Sequence, residues 1–261
     1  MLNISYTKNK AGDLYIYKLI MRYLRITVCI ALLFLLLLMK GSEIKKSVPV
    51  LMYHAVDNHM FGSRELIVNP QEFYKQMKYL HDQKCTTLTF NNIREYYKYK
   101  SPVLITFDDG YKDVYLYAFP ILKKFKLQAT MFLIAGLIGR PGYLTQNEIV
   151  EMSEVFSFES HTLSHPKLDE MSVSELEKEF GKSKDIIESL TSKPVNTLSF
   201  PFGRYDKNVL TVAQKHFKYC VTSRFGNYSH GDSLYEINRI YIARSDTMDT
   251  FMKKIRKSRV R

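Results

Sequence analysis

The sequence predicts an α/β fold, a distorted or incomplete (β/α) barrel preceded by an N-terminal membrane-anchor helix. Three observations carry that expectation. Short apolar runs alternate with helix-period runs through most of the 261 residues, and parallel strands need such crossovers. Residues able to do chemistry recur just after the apolar runs, at the strand ends where α/β folds place their sites. An uncharged run at 26–39 follows a string of basic residues. An open doubly wound sheet satisfies the first two observations as well and is the second choice. The roughly 215 residues beyond the anchor are slightly few for a full eight-stranded barrel.

The N-terminal elements come first. Lys8, Lys10, Lys18, Arg22 and Arg25 precede ITVCIALLFLLLLM at 26–39, where only Thr27 is clearly polar. A positive segment followed by an apolar core is the layout of an export signal. As a helix, fourteen residues rise about 21 Å, short of the ~30 Å hydrocarbon layer. Tyr23 and Leu24 extend the run if Arg25 snorkels. No small-residue cleavage site follows, so an uncleaved signal anchor with its N-terminus inside is expected, and a cleaved signal peptide is the rival. The expected organisation is a cytoplasmic basic region at 1–25, an anchor core at 26–40, a linker at 41–47, one domain at 48–250 and a basic tail at 251–261.

Within the domain, 48–53 reads as a strand and 70–83 as a helix burying Phe73, Met77 and Leu80. Strands follow at 86–90, 103–107, 129–134, 155–160, 197–202, 219–222 and 239–243. Helices are expected at 91–99, at 115–126 with a kink or restart at Pro120, and at 145–154. Ser172 caps the longest, 173–190, with Glu175 at the capping-box position. Further helices fall at 208–216 and 250–257.

Composition removes several function classes. The formal charge of +12 suggests nucleic acid until it is located. Residues 1–46 hold eight Lys/Arg against two acids, and 252–261 hold six against none. The body between them has 24 of each sign, whereas a nucleic-acid-binding fold carries its basic footprint on the folded body. No nucleic-acid partner is expected, and a monomer is. Cys85 and Cys220 are the only cysteines of the body, and the sequence leaves their pairing open.

Four motifs follow apolar runs. Asp108 and Asp109 in TFDDG are adjacent like charges, which a fold keeps together only with compensation. A metal ion provides it: one Asp ligates while the other stays free as a base. Gly110 permits the sharp turn that aims both into one cleft. His161 and His165 in SHTLSHP are four apart, a separation that places two imidazoles on one ion. One Asp and two His leave a position open, as in catalytic sites. FPFG at 200–203 says little alone, and His54 after the first strand, taken by itself, reads first as a buried core histidine.

Together, Asp108-Asp109, His161/His165 and FPFG resemble the successive motifs of polysaccharide deacetylases, carbohydrate esterase family 4, whose domain is shared with the nodulation chitooligosaccharide deacetylases. The resemblance covers about 48–245. It implies a distorted (β/α) barrel that hydrolyses the N-acetyl group of a sugar, with Asp109, His161 and His165 holding a divalent metal, usually Zn²⁺. It implies Asp108 as general base, and the backbone N–H of Phe202, beside Pro201, on the oxyanion and substrate side. Two positions depart from the pattern. Ser199 stands where an arginine usually orients the base, and no histidine follows His230 to serve as the late general acid. Both departures, with VLMYHAV at 50–56 and NRIYIAR at 238–244, are similar to one branch, the poly-β-1,6-N-acetylglucosamine deacetylases of biofilm formation. In that branch an early histidine takes the acid role, and His54 matches it. Arg239 matches a motif position there without a definite role. The substrate implied is an extracellular N-acetylglucosamine polysaccharide, peptidoglycan being the main alternative polymer and a non-catalytic carbohydrate-binding relative the alternative function.

Overall fold

A computed structural model describes residues 10–40, 47–59 and 64–259. The chain divides into two units, residues 1–44 and 45–261, each taken by itself. In the first, α1 spans Lys10–Lys40, starting well before the expected apolar core. Among its described side chains, those from Ile26 to Phe34 are uncharged, a rise of about 14 Å. Among the described residues no helix is long and apolar enough to cross a membrane. The helix is present, and residues 35–39 of the expected apolar core lie outside the described side chains. Of the expected linker, 41–46 lies outside the described residues. Ser47 already pairs with Ser229 in a short antiparallel ladder.

The second unit is built on eight strands in one sheet. In chain order these are β1 (Val50–Tyr53), β2 (Thr86–Leu88), β3 (Pro102–Phe107), β4 (Ala129–Leu133), β5 (Phe156–Ser160), β6 (Thr197–Ser199), β7 (Tyr219–Phe225) and β8 (Ile237–Tyr241). All pairings within the sheet are parallel. β1 pairs with both β8 and β3, so the order β1-β8-β7-β6-β5-β4-β3 closes into a ring. The remaining strand, β2, lies beside the first half of β3, and β4 beside its second half. The barrel is thus closed with seven strands, which answers the shortage of chain for eight.

Helices cover the outside: α2 (Pro70–Asp82), α3 (Phe119–Phe125), α4 (Gln146–Met152), α5 (Val173–Thr191), α6 (Lys207–His216) and α7 (Met248–Arg259). Asn69 caps α2 by accepting the Gln71 N–H. Ser172 and Glu175 form the expected capping box on α5, and Thr145 and Glu148 form another on α4. Pro120 falls in the first turn of α3, and residues 114–118 before it wind as a π-helix. A proline cannot extend the normal hydrogen-bond ladder, so the helix restarts there. The expected helix at 91–99 is a tighter 3-10 segment, Ile93–Lys98. The segment set apart as a basic tail is continuous with α7, which buries Phe251 and Ile255.

Strand side chains divide by parity, as a pleated strand requires. On β3, Val103, Ile105 and Phe107 join the large core between sheet and helices, whereas Leu104 belongs to a smaller cluster with Val50, Phe132, Tyr219, Val221 and Ile237. That smaller cluster fills the lower barrel interior. Continuing the inward parity toward the carboxyl ends gives Met52 and His54, Thr106 and Asp108, Glu159 and His161, Ser199, Ser223, and Arg239 and Tyr241. One rim receives nearly every residue singled out above.

Glu159 is buried and accepts the Asn196 and Thr197 N–H groups at 2.8 and 2.7 Å. Burial dominates and pushes its carboxyl up to about 8, the two N–H groups offsetting only part of the shift. The folded protein then holds a proton that the unfolded chain releases above its ordinary carboxyl pKa of 4.5, so stability falls as pH rises from there to about 8. Glu159→Gln is expected to flatten the decline in melting temperature between pH 5 and pH 8. A decline as steep as in the parent would show that Glu159 does not cause it.

Candidate active site

A cavity of about 380 Å³ opens at this rim, lined among others by His54, Asp108, Asp109, His161, His165 and Phe202. All the sequence-selected residues except Pro201 line it. Pro201 is buried beside it and opens the 3-10 turn Pro201–Gly203, which ends the strand expected to reach residue 202. Having no N–H, Pro201 cannot continue the ladder. The turn carries Phe202 into left-handed backbone, φ 57°, with its ring exposed and 4.5 Å from that of His165.

Local backbone separates the two aspartates. Asp108 continues the inward parity of β3, and its N–H bonds to the Tyr53 carbonyl at 3.0 Å. Asp109 turns away at φ 73°, and Gly110 follows at φ 82°. A Cβ on Gly110 would lie 2.8 Å from Leu133 Cδ2, so glycine is required for conformation and for space. The one carboxylate points at an arginine and the other at two histidines.

Asp109 Oδ1 lies 3.4 Å from His161 Nε2 and 3.6 Å from His165 Nε2. The three ligand atoms fall within 4.8 Å of one another. Ligand atoms about 2.0–2.1 Å from one tetrahedral ion stand roughly 3.3–3.5 Å apart, so the spacing suits a shared ion better than direct hydrogen bonds. His161 Nδ1 bonds to the Ser199 carbonyl at 2.8 Å, which fixes the ring and leaves Nε2 for a ligand. Burial, then neighbouring His161, push His165 down to about 4, so its imidazole is neutral at pH 7 and offers a lone pair. The donor set fits a borderline divalent ion such as Zn²⁺.

Asp108 is held by a residue with no role assigned from sequence. From β8, the buried Arg239 donates to Asp108 Oδ1 and Oδ2, each at 2.7 Å. The same guanidinium donates to Ser199 Oγ at 3.0 Å, Thr106 Oγ1 at 3.2 Å and the Thr222 carbonyl at 3.0 Å, and it lies over the Phe132 ring. A register shift between Val221 and Phe225 bulges β7 where it pairs with β8, and bulges re-aim side chains. Ser199, where the family pattern has arginine, is small enough to admit the guanidinium from across the barrel and itself donates to Asp108 at 3.3 Å. The available signal was parity: Arg239 shares the inward face of β8, INRIY, with Ile237 and Tyr241. Burial would raise the Asp108 pKa, but Arg239, followed by His161, holds it well below the usual carboxylate range.

His54 completes the group, with Nε2 4.0 Å from Asp108 Oδ2. Its Nδ1 is buried with no hydrogen-bond partner among the described residues, and Tyr241 packs edge-on against the ring. Burial lowers its pKa, the Asp108 charge opposing. Tyr111, Tyr241 and Leu66 also line the cavity and were not found from sequence.

An Asp–His–His cluster able to hold a metal, beside an ionised carboxylate and a second histidine at the carboxyl rim of a parallel barrel, defines a hydrolase-type centre. The sequence family named polysaccharide deacetylase matches residues 95–219. A Bacillus subtilis chain designated a polysaccharide deacetylase is 32% identical over 209 residues, 77% of this chain and 74% of that one. The poly-β-1,6-N-acetyl-D-glucosamine N-deacetylase of Staphylococcus epidermidis is 29% identical over 247 residues, 80% of this chain and 83% of that one. Among solved structures, a Bacillus cereus polysaccharide deacetylase superposes with a TM-score of 0.77 at 36% identity, covering 81% of this chain and 69% of that one. The chain belongs to the polysaccharide deacetylase family, hydrolases that act on amides.

Proposed function

We propose that the protein removes N-acetyl groups from poly-β-1,6-N-acetylglucosamine outside the cytoplasm, using a divalent ion held by Asp109, His161 and His165. The observation that carries the catalytic reading is the Arg239–Asp108 pair facing His54 beside that cluster. It supplies an oriented base and an acid candidate in a protein lacking both the arginine at 199 and a late histidine. The polymer rests on similarity to the staphylococcal enzyme, named for that substrate. The location rests on the basic-then-apolar layout of residues 8–39.

When bound, the ion supplies Lewis-acid polarisation of the acetyl carbonyl and of the attacking water. Asp108, ionised and fixed by two N–H donors from Arg239, accepts a proton from that water. The backbone N–H of Phe202 serves the developing oxyanion. His54 Nε2 protonates the nitrogen as the C–N bond breaks, so the sugar leaves as a neutral amine. The water has then added its oxygen to the acetyl group as acetic acid, which ionises to acetate in solution, and the proton on Asp108 passes to His54 to restore both groups.

Acetate release tests this on the purified chain, zinc-loaded or chelator-stripped, with poly-β-1,6-N-acetylglucosamine or peptidoglycan. Release from the β-1,6 polymer, lost on stripping and restored by Zn²⁺, is the expected result. Release from peptidoglycan alone replaces the substrate. Glycan retention with no release from either polymer makes the protein a binding relative.

A further inference from the structure

The His161–His165 segment must reverse direction so that both rings reach Asp109, and its backbone departs from ordinary conformations to do so. Thr162 has φ 67° and His165 φ 60°, left-handed values that non-glycine residues keep only where the surroundings hold them. Within the loop, Thr162 Oγ1 accepts the His165 N–H at 3.0 Å. On one side the Ala135 and Gly136 N–H groups donate to the Thr162 and Leu163 carbonyls at 3.0 and 2.8 Å. A Cβ on Gly136 would lie 2.7 Å from that Leu163 oxygen.

The other side is held by one carboxylate. Glu179 Oε2 accepts both the Leu163 and Ser164 N–H groups at 2.9 Å, and Oε1 accepts the Ser164 hydroxyl at 2.7 Å. Glu179 is buried on the inner face of α5, among Leu176, Phe180 and Ile187. It forms no ion pair among the described residues. The other polar residue of that face, Ser183, bonds to Ser160 Oγ at 2.7 Å, just before His161. Burying a carboxylate is costly, and three donors from one loop satisfy it. Both polar side chains on this apolar face are thus committed to the segment that carries the two histidines.

We propose that Glu179 is a positioning residue for the metal site. It fixes the strained 162–165 turn, so that His165 Nε2 stands within ligand distance of Asp109 and His161 before any ion arrives. This rests on the reading of Asp109, His161 and His165 as ligands. Removing such a support from behind metal ligands lowers affinity about 10–100-fold.

The test measures Zn²⁺ affinity by chelator competition on the full chain, together with the melting temperature of the metal-free protein. Glu179→Leu is expected to weaken Zn²⁺ binding by about 10–100-fold. Glu179→Gln preserves the shape: its carbonyl accepts both N–H groups and its amide donates to the Ser164 oxygen. It is expected to stay within about threefold of the parent in affinity, the one hydrogen bond being weakened rather than lost. If Glu179→Leu does not fold, Ser164→Ala takes its place and is expected to weaken binding by a smaller, measurable factor. A folded Glu179→Leu, or failing that Ser164→Ala, that binds Zn²⁺ as the parent does while melting earlier overturns the proposal and leaves Glu179 a stability residue. A parent protein that takes up no stoichiometric Zn²⁺ overturns the ligand reading itself, a separate failure.

Discussion

Asp108→Asn is expected to abolish acetate release while leaving uptake of a divalent ion intact. An amide accepts no proton from water, and a positioned general base contributes about 10²–10⁴-fold. Retention of the ion follows from geometry. The Asp108 carboxylate is engaged by Arg239 and Ser199, and the His161 and His165 ring nitrogens stand 3.4 and 3.6 Å from Asp109. Metal content and turnover measured on the same preparation decide the matter. Loss of the ion in Asp108→Asn, with retention in Asp109→Asn, would mean that the two aspartates have exchanged roles.

Arg239→Met has the largest expected effect on stability. It removes the cation from a buried, bidentate pair and leaves the buried Asp108 carboxylate without its countercharge, a change that costs about 3–5 kcal/mol. At about 2–4 °C per kcal/mol for a domain of this size, melting falls by roughly 10 °C. The Asp108 pKa rises as well, because burial is then opposed only by the remaining histidines, and acetate release collapses with it. The double variant Arg239→Met/Asp108→Asn leaves no buried charge at this point and is expected to recover much of the lost melting temperature without recovering activity. Equal melting of the single and double variants, or a single variant as active as the parent, would remove Arg239 from its assigned place. Arg239→Lys is not conservative here, since an ammonium cannot span both carboxylate oxygens.

The fold was legible because its signals are local. Alternation of short apolar runs with amphipathic stretches marked all eight strands, and the Ser172–Glu175 capping box marked the start of α5. Ring closure was not legible: it depends on β1 pairing with β8 on one side and β3 on the other, and no nearby residue announces such a pairing. The same division runs through the site. Asp109, His161 and His165 were found because two compact motifs carry them. Arg239 had a position and no role, because its partner is 131 residues away and the residue admitting it, Ser199, looks in sequence like a loss. Pro201 was placed at the cavity because it neighbours Phe202, but the turn that exposes Phe202 buries Pro201. The membrane span was read from residues 26–39, and the described side chains stop at Phe34.

The dependence of Asp108 on Arg239 has a consequence for how the enzyme comes into being. A nascent chain halted before β8 already holds both aspartates, both ligand histidines and FPFG, yet its catalytic carboxylate has no cation to orient it. Only when β8 slots between β7 and β1 does the guanidinium arrive, so the strand that completes the ring also switches on the chemistry. With Asp108 as the base proposed above, hydrolytic competence would report complete folding: a half-built barrel carries nearly the full set of reactive groups without the cation that orients the base.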